Sequence, residues 1–232
     1  MTSSLFQDFN ERSREVSKYF IFLKSLEQGT TKLSMEGKGG IPKIREIDPE
    51  LIKTLKASGF LLLYNLVEAT MRNAIEAIFD ELRGKGVSYD QISPKLKRIV
   101  LKNLKKRNPD KIFLSITAIS LDIITAGFDK QDLFSGNIDG MKIRDTATEY
   151  GFSHSTDYAK TGHGSDLVTI KTNRNDLAHG FKSFAEVGRD KTADDLLEIK
   201  SKVTKYLKQI LQNIEQYLSN KEYLDVSTGG TI

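Results

Sequence analysis

The sequence predicts an all-α protein, and three observations carry that prediction. Apolar residues recur at helical spacing through long segments, helix start and stop signals bracket those segments, and no stretch reads as a clear strand. The 232 residues are 38% apolar, enough for one sizeable core, and 28% charged, the balance of an ordered and well-hydrated chain. The expected organisation is a single domain over residues 1–232. It is a bundle of about six helices, with an N-terminal helix within 1–30 and a helical core over 48–224.

The first helix is set by Leu5, Phe9, Val16, Tyr19, Phe20, Leu23 and Leu26, and Gly29 stops it. The stretch TTKLSMEGKGGIPKIREI that follows reads as a loop or a short hairpin. Its GKGG lacks the spacing of a phosphate-binding loop. Asp48-Pro49 then signals a helix start, an N-cap followed by proline at the first helical position. The long helix it opens is apolar on more than one face in its middle and ends at Gly84, as a central core helix would. Glu68, Arg72 and Asn73 lie within it and are expected on its less buried face.

The segment SYDQISPKLKRIVLKNLKKRNPD carries an apolar stripe of Leu96, Ile99, Val100 and Leu104. Its basic residues, Lys95, Lys97, Arg98, Lys102, Lys105, Lys106 and Arg107, form the opposite face, either simply solvated or in contact with phosphates. The Ile/Thr/Leu-dense DKIFLSITAISLDIITAGF reads as a buried helix up to Gly127. Asp139 is expected to cap a short helix closed by Gly151. His154 and His163 fall in the loop SHSTDYAKTGHGSD with no metal-ligand spacing. A helix capped by Ser165 or Asp166 and ended by Gly180, a short loop, and a final helix started by Thr192 and Asp195 complete the chain.

Composition limits the functions. There are no cysteines, which excludes disulfides, zinc ribbons and thiol chemistry. No apolar run reaches membrane-spanning length, and the N-terminus has no secretory pattern, so a cytoplasmic location and no membrane partner are expected. A net charge of +4 and a pI near 9.0 permit a polyanionic partner without demanding one.

The chemistry concentrates in KTNRNDLAHGFKSF. On a helix, Asn175 and His179 share one face, and Arg174 lies roughly 140° from His179. Its long side chain can still reach toward that face. Arginine offers a fork for phosphate, histidine titrates near neutrality, and asparagine can orient either one or a substrate oxygen. No metal and no cofactor are called for. Such a set suits attack of an RNA 2′-hydroxyl on the adjacent phosphorus, which needs a base, an acid and a cation for the growing phosphoryl charge. One histidine serves poorly as both base and acid in one step, so two copies across a two-fold axis are suggested. The simpler structural role is a helix C-terminus at which His179 favours the dipole and Arg174 pairs with Asp176 or another carboxylate.

The string Arg174-Asn175-Asp176-Leu177-Ala178-His179-Gly180 resembles the R-x4–6-H signature of the HEPN superfamily (higher eukaryotes and prokaryotes nucleotide-binding). The stretches FLLLYNLVEATMRNAIEAIFDEL and FSGNIDGMKIRDTATEYGF, and the region from Leu177 to Leu218, are similar to its bacterial MAE-type branch, from about residue 48 onward. The resemblance implies an all-α HEPN-like bundle that dimerises with two motifs face to face. It also implies metal-independent endoribonuclease activity that leaves a 2′,3′-cyclic phosphate, within a toxin–antitoxin, abortive-infection or restriction-linked system. Carried over, Arg174 binds and polarises the phosphate, His179 moves the proton, and Asn175 positions one or the other. Lys171 and Lys182 flank the motif as candidate RNA contacts. The alternative is a non-catalytic binding module that pairs with an antitoxin or a second HEPN chain.

Overall fold

A computed structural model describes residues 4–37, 39, 42–107 and 119–226. Helices dominate it. In chain order they are α1 (Ser4–Glu27), α2 (Pro49–Gly84), α3 (Pro94–Leu104), α4 (Ile119–Ala126), α5 (Gly140–Tyr150), the single-turn α6 (Tyr158–Thr161), α7 (Asp166–Ala178), α8 (Phe184–Arg189) and α9 (Ala193–Ser219). An antiparallel hairpin of β1 (Leu33–Glu36) and β2 (Pro42–Arg45) lies between α1 and α2, with Leu33 opposite Arg45 and Glu36 opposite Pro42. The hairpin expectation therefore holds over loop. Every residue of both strands is exposed, so the hairpin has no buried face.

The starts and stops follow local chemistry. The Asp48 carboxylate accepts from the Glu50 N–H at 2.9 Å, and that of Asp139 from the Lys142 N–H at 2.9 Å. Thr192 and Asp195 exchange bonds reciprocally, satisfying two donors that the first turn of α9 leaves orphaned. Gly151 closes α5 in the left-handed region, at φ +98°. The part of the expected buried helix before Ile119 lies outside the described residues.

Contacts divide the chain into two compact units, and α2 and α9 each contribute to both. The first comprises residues 1–67 and 158–206. Its core is lined by Phe9, Val16, Phe20 and Leu23 of α1, Phe60 and Leu63 of α2, and Leu167 and Ile170 of α7. Glu27 is a tie-point in it. One carboxylate oxygen pairs with Lys56 at 3.0 Å, and the other accepts from the Ala193 N–H at 2.6 Å. Gly188 of α8 faces the backbone of Lys53, where any Cβ would lie 1.8 Å from the carbonyl oxygen.

The second unit comprises residues 68–157 and 207–232. Phe79 stacks on Phe128 with ring centroids 4.1 Å apart, and the Tyr217 hydroxyl donates to the Tyr150 carbonyl at 3.0 Å. Burial pushes the Tyr217 phenol well above its ordinary value. Glu68 and Arg72 are not idle surface charges. They pair at 2.6 Å, both side chains largely buried, and Arg72 Nη1 also donates to the carbonyls of Lys130 and Gln131.

The basic run of α3 is also partly spent within this unit. Lys97 donates to the Asp90 carbonyl and pairs with Asp225, Lys102 pairs with Glu149 at 2.9 Å, and Arg107 lies 3.8 Å from Asp129. An exposed basic face thus remains chiefly at Lys95, Arg98, Lys105 and Lys106.

Candidate active site

The expected polar cluster falls at the C-terminal end of α7, inside the first unit. The helix begins directly from a 3₁₀ turn over Gly162–Gly164. Ser165 is its N-cap by position but makes no side-chain capping bond, unlike the sequence expectation. The 3₁₀ turn replaces a side-chain cap by supplying backbone bonds: the Ser165 N–H donates to Gly162, and the Val168 N–H donates to Ser165.

The other end is a Schellman motif. Gly180 adopts φ +71°, its N–H donates to the Leu177 carbonyl, and the Phe181 N–H donates to Asp176 at 2.8 Å. The six-to-one bond fixes where the helix stops. It therefore fixes the direction of the chain leaving His179.

Only Leu167 and Ile170 of α7 are buried. Arg174 continues their stripe, at i+7 and i+4, so its stem starts from the core-facing side while the residue as a whole is half-buried. Val168, Thr172, Asn175 and His179 lie on a second stripe. Val168 is 51% exposed, Thr172 and His179 are exposed, and Asn175 is half-buried.

Arg174 bridges the two stripes. Its Nη1 donates to Asn175 Oδ1 at 2.9 Å, and its guanidinium carbon lies 4.7 Å from the ring centroid of Tyr64 on α2. The simple pairing of Arg174 with Asp176 is not what forms. Asp176 is taken by Lys182, 2.8 Å away, and the hydrogen bond to that carboxylate, with its charge, holds the Lys182 ammonium above the ordinary lysine range. Among the described residues, Arg174 Nε and Nη2 and Asn175 Nδ2 are left to donate outward.

The structure thus joins Arg174 and Asn175 directly. It does not join His179 to either by a side-chain hydrogen bond. His179 caps the helix, exposed, with its ring 5.7 Å from that of Phe181. The C-terminal end of a helix is electronegative and does not itself attract phosphate, so any anion here is held by side-chain cations.

Lys171 sits half-buried one turn before the Arg174–Asn175 pair, and Lys182 is exposed just after the motif. His154 and His163 lie apart from this cluster in the chain: His154 is in a loop, and His163 is in the 3₁₀ turn, with its ring against Tyr158. Among the described residues, no three histidines or carboxylates are grouped to hold a metal ion, and no helix is long and apolar enough to cross a membrane.

Three features escaped sequence reasoning. Tyr64 is a buried ring in an apolar run, distinguished only by its polar tip. Phe181 is 76% exposed, next to the histidine. The segment after the motif is not a plain loop but contains α8, capped by a reciprocal Ser183–Glu186 box whose S-x-x-E signature is present in the sequence.

With the fold and the motif in place, the chain belongs to the HEPN family. The family described as HEPN_MAE_28990-like HEPN matches residues 1–223, so the likeness includes α1 and is not confined to the chain after residue 48. No curated protein and no solved structure matches the chain.

Proposed function

We propose that this protein is a metal-independent endoribonuclease of the HEPN type. It acts as a homodimer with a composite site, in the role of a toxin or an anti-phage effector. The observation that carries this reading is the hydrogen-bonded Arg174–Asn175 pair, four residues before an exposed His179 at a fixed helix end.

In the composite site, Arg174 donates to the phosphoryl oxygens through Nε and Nη2, and Asn175 Nδ2 fixes one of those oxygens. A histidine takes the proton of the 2′-hydroxyl as its oxygen bonds to phosphorus. The bond to the 5′-oxygen breaks, and that oxygen leaves with a proton from the second histidine. The products are a 2′,3′-cyclic phosphate and a 5′-hydroxyl.

The outward stripe of α7 supports a dimer. A helix with two buried residues leaves Val168, Thr172, Asn175 and His179 for a second copy to cover, and an isologous contact there places two histidines in one site. Lys171 and Lys182 contact the RNA backbone, and the exposed Phe181 ring offers a face to a base.

Expression in bacteria tests the reading. Wild type is expected to arrest growth, and His179→Ala and Arg174→Ala are each expected to relieve the arrest. Co-expression of the two variants is expected to leave growth unarrested, because a mixed dimer holds only one His179. Equal growth of wild type and His179→Ala cultures at matched protein levels would favour the binding-module alternative.

A further inference from the structure

We propose that Tyr64 is a positioning residue for Arg174. It holds the guanidinium from its face, while Asn175 holds it from one corner. The proposal rests on the ribonuclease reading for its effect on catalysis, but its geometry stands without it.

An arginine at a helix end has a long flexible stem, and a cation is poorly placed for catalysis if it must be ordered by the substrate on every turnover. Three observations show how this chain avoids that. Arg174 continues the buried stripe of Leu167 and Ile170, so its stem is directed against the core. Its guanidinium carbon lies 4.7 Å from the centroid of Tyr64, within cation–π range, and that ring is only 4% exposed, so it is itself immobile. Nη1 is held by Asn175 at 2.9 Å.

The ring contact and the one hydrogen bond together restrict the orientation of a rigid planar group. What remains is the Nε–Nη2 edge, the pair of donors that grips a phosphate oxygen pair side-on. Tyr64 therefore touches no substrate. It sets the direction in which the phosphate-binding edge points.

The test has two independent readouts. The first is the Nε–Hε resonance of Arg174 in ¹H–¹⁵N spectra, assigned by its loss in Arg174→Lys. In wild type it is expected to show an aromatic ring-current shift. The shift is expected to persist in Tyr64→Phe, which keeps the ring face, and to collapse in Tyr64→Leu.

The second is cleavage of RNA. Tyr64→Phe is expected near wild type, whereas Tyr64→Leu loses roughly thirtyfold in kcat/KM, the scale of a desolvated cation–π contact. Its pH profile should be unchanged, because His179 is untouched. Wild-type Arg174 at an ordinary arginine shift would overturn the proposal even if Tyr64→Leu fails to fold. So would a Tyr64→Phe defect equal to that of Tyr64→Leu, or a catalytic loss accompanied by a displaced pH profile. If wild type cleaves no RNA yet the resonance responds as described, the positioning contact stands and the ribonuclease reading alone fails.

Discussion

Replacing Gly188 by alanine would force apart two helices that frame the candidate site. A Cβ built at Gly188 lies 1.8 Å from the Lys53 carbonyl oxygen and 2.5 Å from its carbon, whereas ordinary contact begins at 3.4 Å. The obstacle is backbone within α2, so no side chain can swing aside. The helix must retreat by 3.4 − 1.8 = 1.6 Å, or the surrounding core must deform. Overpacking of this kind costs about 3 kcal/mol. For a chain of this size that lowers the melting temperature by about 6–12 °C.

Two control substitutions separate crowding from backbone preference. Gly180→Ala meets no atom within 4 Å but sits at φ +71°, so it costs about 1 kcal/mol. Gly84→Ala meets nothing and has an ordinary φ, so it is neutral or slightly stabilising. Calorimetric melting of the three variants should rank them in that order. Gly188→Ala melting within about 2 °C of wild type, or no lower than Gly180→Ala, would refute the claim that α8 is seated directly on the α2 backbone.

Arg72→Ala is expected to cost about 2 kcal/mol in urea unfolding, because it strands Glu68 and two carbonyl oxygens, with Arg72→Lys recovering only part; a loss below about 0.5 kcal/mol would make the pair ornamental. Hydrogen bonds from Ser183 and Thr192 hold the carboxyls of Glu186 and Asp195 below their ordinary values of 4.5 and 3.8. A carboxyl lowered in the folded state contributes stability above its ordinary value and loses it as pH falls through the folded value. Wild type should therefore lose melting temperature on acidification below about pH 4, and Glu186→Gln with Asp195→Asn should flatten that fall. Lys182→Ala and Lys171→Ala are each expected to weaken RNA binding and reduce the slope of log affinity against log salt by about 0.7, and an unchanged slope would remove that lysine from the backbone contacts.

What was legible in the sequence is what short-range chemistry decides. Asp48-Pro49, Asp139 and the Thr192–Asp195 pair each satisfy donors two or three residues away, and each start was readable. The hairpin was undecided because β1 and β2 are four residues each, too short for their apolar–polar alternation to decide between strand and loop. α8 is six residues long, too short to show a period, and only its Ser183–Glu186 box announced it. Long-range choices were not readable. Nothing near Lys102 in the chain says that Glu149 will neutralise it, and nothing near Arg174 says that Tyr64 lies across its guanidinium. The motif residues themselves were legible, but their division into an inward Arg174 and an outward Asn175 and His179 follows from which stripe of α7 meets the core.

The central claim is that Arg174, Asn175 and His179 cleave RNA without a metal. It is tested most directly by incubating wild type and His179→Ala with total RNA in EDTA and determining the fragment termini. Cleavage by wild type alone is expected, with 2′,3′-cyclic phosphate and 5′-hydroxyl ends. Equal cutting by both proteins, or wild-type fragments ending in 3′-hydroxyl and 5′-phosphate, would contradict it.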